Sequence, residues 1–245
     1  MTTWVIPLAG QSNMVGRADA DGSDPWPDRV RFVTQSGGLA PPAAEIPAPE
    51  GNGGPWLIAK RFARAFLAAH PGDESVFVPG AVGGTSFWNH RWNPGDDLYD
   101  NLVDLTTGTL ARHPGWRLRA LFFQGFETDA KNGMLPTTFR RCIDRFVKAV
   151  RTDFAAPDLP IVFGELPPGF VDEAPGHAAI RDEVRRATER LPYTATAPSR
   201  LPTRADDDGL HYSTAGLLAI GDRYAAALAA AEANTPALAD GRRVS

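Results

Sequence analysis

Long apolar runs are missing from this chain. No stretch reaches the ~18–20 apolar residues that a bilayer-spanning helix needs, so a membrane-spanning role is not expected. Cysteine is reduced to one residue, Cys142, which excludes an internal disulfide. That cysteine falls in a predicted helix, Pro136 to Phe154, with no activating neighbour in its segment, so a structural thiol is expected rather than a nucleophile. Metal-ligand spacing is absent too: the five histidines, His70, His90, His113, His177 and His211, stand singly. There is no excess of positive charge. The net charge of −4 gives no bulk field for nucleic acid, and Arg140, Arg141 and Arg145 read as a solvated helix face. Residues Met1 to Gly10 lack a basic leader, and their apolar run is too short for a signal sequence. The simplest expectation is a soluble cytoplasmic protein; a secreted form with its signal removed fits the same residues.

What is present is an ordinary globular composition, 43% apolar and 22% charged over 245 residues. That is enough for one domain with a full core, expected over 1–233 with a frayed tail at 234–245. Short apolar runs alternate with amphipathic stretches. Strands are predicted at Trp4–Ala9, Val30–Thr34, Ser75–Pro79, Leu118–Phe123, Leu159–Glu165 and Tyr193–Ala197. Helices are predicted at Trp56–Ala69, Leu98–Arg112, Thr137–Phe154, Ala174–Leu191 and Thr214–Ala233. Strands alternating with helices predict an α/β fold, a parallel sheet covered on both faces. Ligands bind such sheets beyond the carboxyl ends of the strands. The irregular stretch 17–55 is long enough that it is expected to shape or cover a site there.

Four segments stand where that rule places a site. The first, Gly10-Gln11-Ser12-Asn13-Met14, follows the first strand; Ser12 lies near a helix start, where free N–H groups favour developing negative charge. Capping the helix is the commoner job for a serine there. The second, Gly83-Gly84-Thr85-Ser86, follows the strand ending at Pro79 and would let backbone N–H groups approach a substrate oxygen. The third, Gln124-Gly125, ends an apolar strand; a buried amide there needs partners, and a functional one would donate to an oxyanion. The fourth is Asp208-Gly209-Leu210-His211, a spacing that lets the carboxylate reach its own imidazole, fix the tautomer and stabilise the imidazolium. Each segment has a plain structural explanation alone. Their conjunction at separate element ends points to nucleophilic acyl transfer.

These blocks resemble those of SGNH hydrolases, more narrowly the sialate O-acetylesterase and acetylxylan-esterase branch, similar to carbohydrate esterase family 6. In that branch the first block reads GQSN and Gln replaces the usual third-block Asn. The resemblance runs from residue 10 to 211. It implies a flavodoxin-like three-layer α/β/α sandwich, with Ser12 as nucleophile, His211 as base and Asp208 as the third member. It also implies oxyanion donors at the Ser12 amide, the Gly84 amide and the Gln124 side chain, with no metal or organic cofactor. The substrate would be a small-molecule or carbohydrate ester. Gln11, Asn13, Thr85, Trp88 and Glu127 are candidates for contact with it, and the cluster Phe87, Trp88, Trp92 serves either sugar stacking or core packing. One departure stands out: the branch reads Gln-Gly-Glu-x-Asp, whereas Phe126 here precedes Glu127 and Asp129. A bulge at Phe126 is expected to leave Glu127 near the rim. Alternatives are an esterase without sugar preference and a carbohydrate-binding relative with little turnover.

Overall fold

A computed structural model of the protein describes residues 1–19, 25–43, 46–51, 53–200 and 209–236. In chain order the elements are β1 (Thr3–Gly10), α1 (Ser12–Val15), β2 (Val30–Val33), β3 (Leu39–Ala40), α2 (Leu57–Ala69), β4 (Glu74–Pro79), α3 (Asp97–Arg112), β5 (Arg117–Leu118), β6 (Leu121–Gln124), α4 (Glu127–Lys131), α5 (Pro136–Asp153), β7 (Ile161–Gly164), α6 (Pro168–Asp172), α7 (Pro175–Arg190), β8 (Thr194–Ala197) and α8 (Thr214–Ala233). The strands form one sheet, ordered β3-β2-β4-β1-β6-β7-β8, with β5 also paired to β1. All pairings are parallel except that of β2 with β3.

The two-residue period of the strands makes the layers. Val5, Val76, Phe123 and Phe163 turn to one face, where Leu102 of α3, Phe146 of α5 and Val184 of α7 cover them. Ile6, Phe77, Phe122 and Val162 turn to the other, beneath Phe62 of α2 and Tyr224 of α8. Phe62 meets Phe122 edge to face at 4.7 Å between ring centroids, and burying each such ring stabilises the fold by about 1.5–3 kcal/mol. Arg140 is more than a solvated residue: its guanidinium bonds both carboxylate oxygens of Glu183, at 2.9 and 2.8 Å, and ties α5 to α7. None of the described helices is long and apolar enough to cross a membrane.

Three differences from the sequence reading have local causes. The single strand expected at Leu118–Phe123 is split. Trp4 pairs with Arg117 and Leu8 with Phe122, so the register slips by one residue at a bulge between them. Beyond the bulge Leu121 and Phe123 face the same core as Leu118. The tail does not fray at Asn234, whose amide reaches the carbonyls of Thr188, Leu191 and Thr194 at 2.8–3.1 Å; 237–245 lie outside the described residues. Elements α4, α6 and β3 were not anticipated, being too short to show a period, whereas the helix start expected near Ser12 is the short α1.

Candidate active site

β1 occupies the middle of the sheet, with β4 on one side and β6 on the other. The chain reverses its winding there, the crevice in which open α/β sheets bind ligands. Gly10 ends β1 with φ +115°, and a Cβ there would stand 2.0 Å from the Gln124 carbonyl oxygen. Only glycine lets the two strand ends come so close. The next amide, Gln11 N–H, donates to that carbonyl at 2.9 Å. The turn sets Ser12 at the head of α1, 5% exposed. Its Oγ lies 2.9 Å from His211 Nε2.

Asn13 holds the histidine in place through its neighbours. Its Nδ2 donates to Leu210 O at 3.0 Å, and its Oδ1 accepts the Tyr212 N–H at 3.2 Å. The same amide donates to Glu127 Oε1 at 2.9 Å. Ser213 then caps α8, its Oγ accepting the Gly216 N–H at 3.2 Å. A cleft of about 300 Å³ opens over Ser12 and His211, bounded by Gln11, Arg17, Gly83, Gly84, Glu127, Thr128, Lys131 and Leu210. Its size is at the small end for ligand pockets. Gly84 has φ +74° with open space where a Cβ would be, so its backbone angle, not crowding, calls for glycine. The stretch 17–55 contributes Arg17 to this cleft.

Several candidates are placed elsewhere. Gln124 was expected to aim at an oxyanion, and its amide is turned away. Strand alternation puts it on the face of Phe122, under α8, where Nε2 donates to Glu165 O at 3.2 Å and Oε1 accepts from Tyr224 Oη at 3.2 Å. Asn13 is a buried latch rather than a substrate contact. Thr85 is also internal: its hydroxyl donates to Val82 O at 2.7 Å and accepts from Trp92 Nε1 at 2.9 Å. Phe87 and Trp92 belong to the core, and only Trp88 of that cluster is exposed, at 49%. Glu127 is not at the rim. Phe126 absorbs the extra residue by adopting φ +87°, its ring stacked 4.6 Å from Phe123, and this turn delivers Glu127 inward to Asn13. Gln11 does face the cleft. Asp208 lies outside the described residues. Sequence reasoning missed the latch role of Asn13 and the cations Arg17 and Lys131; nothing local marks partners 114 to 199 positions apart.

Residues 51–230 match the family described as carbohydrate esterase, sialic acid-specific acetylesterase, well over half of the 245-residue chain. The chain belongs to this family. It is a carboxylic ester hydrolase with the parallel-sheet fold of SGNH-type hydrolases. Among solved structures, a protein from Arabidopsis thaliana shares 21% identity at a TM-score of 0.74, over 93% of this chain and 98% of that one. The structure of NanS shares 18% at 0.74, over 94% and 97%. A carbohydrate acetylesterase from Xanthomonas citri shares 19% at 0.64, over 96% of this chain and 57% of that one. At such identities the likeness is one of fold. No curated protein matches the sequence. The family match begins after Ser12, so the placement of that residue in the esterase rests on the geometry above.

The esterase buries two carboxylates on α4 beside this cleft. Glu127 is 1% exposed and Asp129 fully buried, and each has one oxygen without a hydrogen-bond partner. Burial raises the pKa of Glu127, opposed by its bond from Asn13. Burial, with the nearby Glu127 charge adding to it, pushes Asp129 up to about 7 from the ordinary 3.8. A raised folded value means that the native state holds the proton longer than the unfolded chain. The stabilisation is therefore complete below about pH 4 and is lost as pH rises through about 7. Asp129→Asn removes this dependence, so the variant should gain on wild type by on the order of 1–3 kcal/mol between pH 4 and 8. Denaturant unfolding at several pH values measures the difference; a variant that loses ground toward pH 8 would show that the anion is the favoured form. Among the described residues no cluster of His, Cys, Asp and Glu is arranged to hold a metal ion.

Proposed function

We propose that the chain is a serine esterase that removes short acyl groups, chiefly acetyl, from a carbohydrate. The observation carrying this reading is the 2.9 Å contact between Ser12 Oγ and His211 Nε2 on the floor of an open cleft. His211 takes the Ser12 proton as Oγ attacks the ester carbonyl, and the Ser12 and Gly84 amides receive the oxyanion. The alcohol leaves with the proton from His211, and water then releases the acid by the same route. Asp208, three positions before His211, is the carboxylate assigned to orient the imidazole. A binding module would have no use for a nucleophile hydrogen-bonded to a base.

The cleft also favours one kind of alcohol. Arg17 and Lys131, both exposed, are its two cationic walls, suited to a sugar that carries a carboxylate, in keeping with the specificity in the family's description. Acetate release from O-acetylated sialic acid and from a neutral O-acetylated sugar tests both levels of this reading. No acetate from either would defeat the sugar-ester assignment. The double variant Arg17→Gln/Lys131→Gln should lower kcat/KM on the acidic sugar by about 10-fold, the worth of one charge-assisted hydrogen bond. On p-nitrophenyl acetate it should change less than about twofold, since an exposed charge that touches no substrate contributes little. An equal loss on both substrates would remove the case for carboxylate recognition.

A further inference from the structure

The acyl-transfer scheme leaves Asp129 without a task, yet its placement is costly. The side chain is fully buried, and Oδ2 has no hydrogen-bond partner. An apolar side chain would fill the space without a desolvated charge. What the carboxylate gains is a loop. Oδ1 accepts the Trp88 N–H at 2.9 Å, and the Phe87 amide also points to the carboxylate. Trp88 lies inside a tight turn. Asn89 Oδ1 accepts the Ser86 N–H at 2.8 Å, and Asn89 Nδ2 donates to Gly84 O at 3.0 Å. Asp129 thus holds the turn at Trp88, and the adjoining residue, Asn89, holds Ser86 and the Gly84 carbonyl, the 88–89 peptide bond joining the two sets of hydrogen bonds.

We infer that Asp129 is a positioning residue for the oxyanion-binding backbone, anchoring the turn that fixes where the Gly84 amide points. This rests on the proposed use of Gly84 as an oxyanion donor. Gly84 is exposed with φ +74°, and no side chain of its own fixes it. Above about pH 7, where Asp129 is ionised, its bonds from backbone N–H groups are stronger than those to a neutral acceptor, which suits a fixed anchor. The ionisable groups coupled to Asp129 are Glu127 on its own helix and the half-buried Cys142 thiol on α5; the loop contributes backbone amides.

The test uses Asp129→Asn, Asn89→Ala and Ser12→Ala in the full chain. The readouts are kcat and KM on p-nitrophenyl acetate, the Ki of a small alkylboronic acid, and the thermal midpoint at pH 8. Ser12 Oγ adds to boron as its proton passes to His211, and a boron-bound oxygen then occupies the oxyanion position. A displaced donor is felt only in the tetrahedral state. Asp129→Asn should therefore lower kcat by about 10-fold or more with KM within about twofold, and the boronic acid Ki should rise by a similar factor. The thermal midpoint should not fall, because a buried charge is removed. Asn89 is exposed, so Asn89→Ala tests the same relay without burdening the core and should shift kcat and Ki in the same direction. A kcat within twofold of wild type in either variant overturns the inference, as does lost kcat with an unchanged boronic acid Ki. If Asp129→Asn does not fold, Asn89→Ala decides alone. Hydrolysis that survives Ser12→Ala would instead overturn the active-site reading itself.

Discussion

Ser12→Ala is expected to lower kcat by on the order of 10⁴–10⁶-fold, with His211→Ala close behind, because on the proposed mechanism they are nucleophile and base and act as one unit. The double variant should be scarcely worse than either single one. The expectation follows from geometry. Ser12 Oγ sits 2.9 Å from His211 Nε2, so each group is useless for covalent attack without the other. Neither change should harm the fold. Alanine is compatible with the helical backbone of α1, and the Ser12 side chain makes no cap there; His211 is held through the backbone of Leu210 and Tyr212 rather than through its ring alone. The check is steady-state hydrolysis of one acetyl ester beside a thermal melt for all three variants. Ser12→Ala with near wild-type turnover would remove Ser12 as nucleophile; additive losses would mean that the two residues act in separate steps.

The parts of the chain that could be read in advance are those with a strong period or a strong break. Residues Thr214–Ala233 emerge as one helix with the bounds that the sequence suggests, since a long alanine-rich run after a serine leaves little choice. The first strand and its glycine turn were equally legible, because Gly10 interrupts an apolar run at the point where two strand ends must touch. Direction was harder than position. Gln124 stands at the expected strand end, but the bulge between β5 and β6 sets which face its amide takes, and no local pattern announces that bulge. Phe126 was legible as an insertion and not as a left-handed residue whose ring completes the aromatic core. The consequence of that turn, Glu127 bonded to Asn13, joins residues 114 positions apart. Asn13 therefore reads as part of a motif in sequence and as a latch in three dimensions.

Asp208→Asn is expected to cost about 10²–10⁴-fold in kcat, the range seen when the acid of a triad loses its charge. Glu127→Gln should cost only about 10-fold. Both carboxylates have a claim on the imidazole. Asp208 comes three residues before His211, a spacing that suits a bond to the ring nitrogen not facing Ser12. Glu127 is buried at the cleft wall, and its charge interacts with His211. Their chemistry differs. Burial works against the ionised form of Glu127, and one of its oxygens is committed to the Asn13 amide. Gln at 127 keeps that acceptor and loses only a charge that the site holds at a cost, so its thermal midpoint should not fall. On the proposed mechanism, Asn at 208 would offer the imidazole a neutral amide, which can hold the wrong tautomer and gives no compensation when the ring becomes positive. The two variants, assayed on one acetyl ester, separate these roles. If Glu127→Gln proves as damaging as Ser12→Ala while Asp208→Asn is mild, the acid of the site is Glu127. The Ser12–His211 pair would stand, and the turn at Phe126 would become the feature that delivers the third catalytic group.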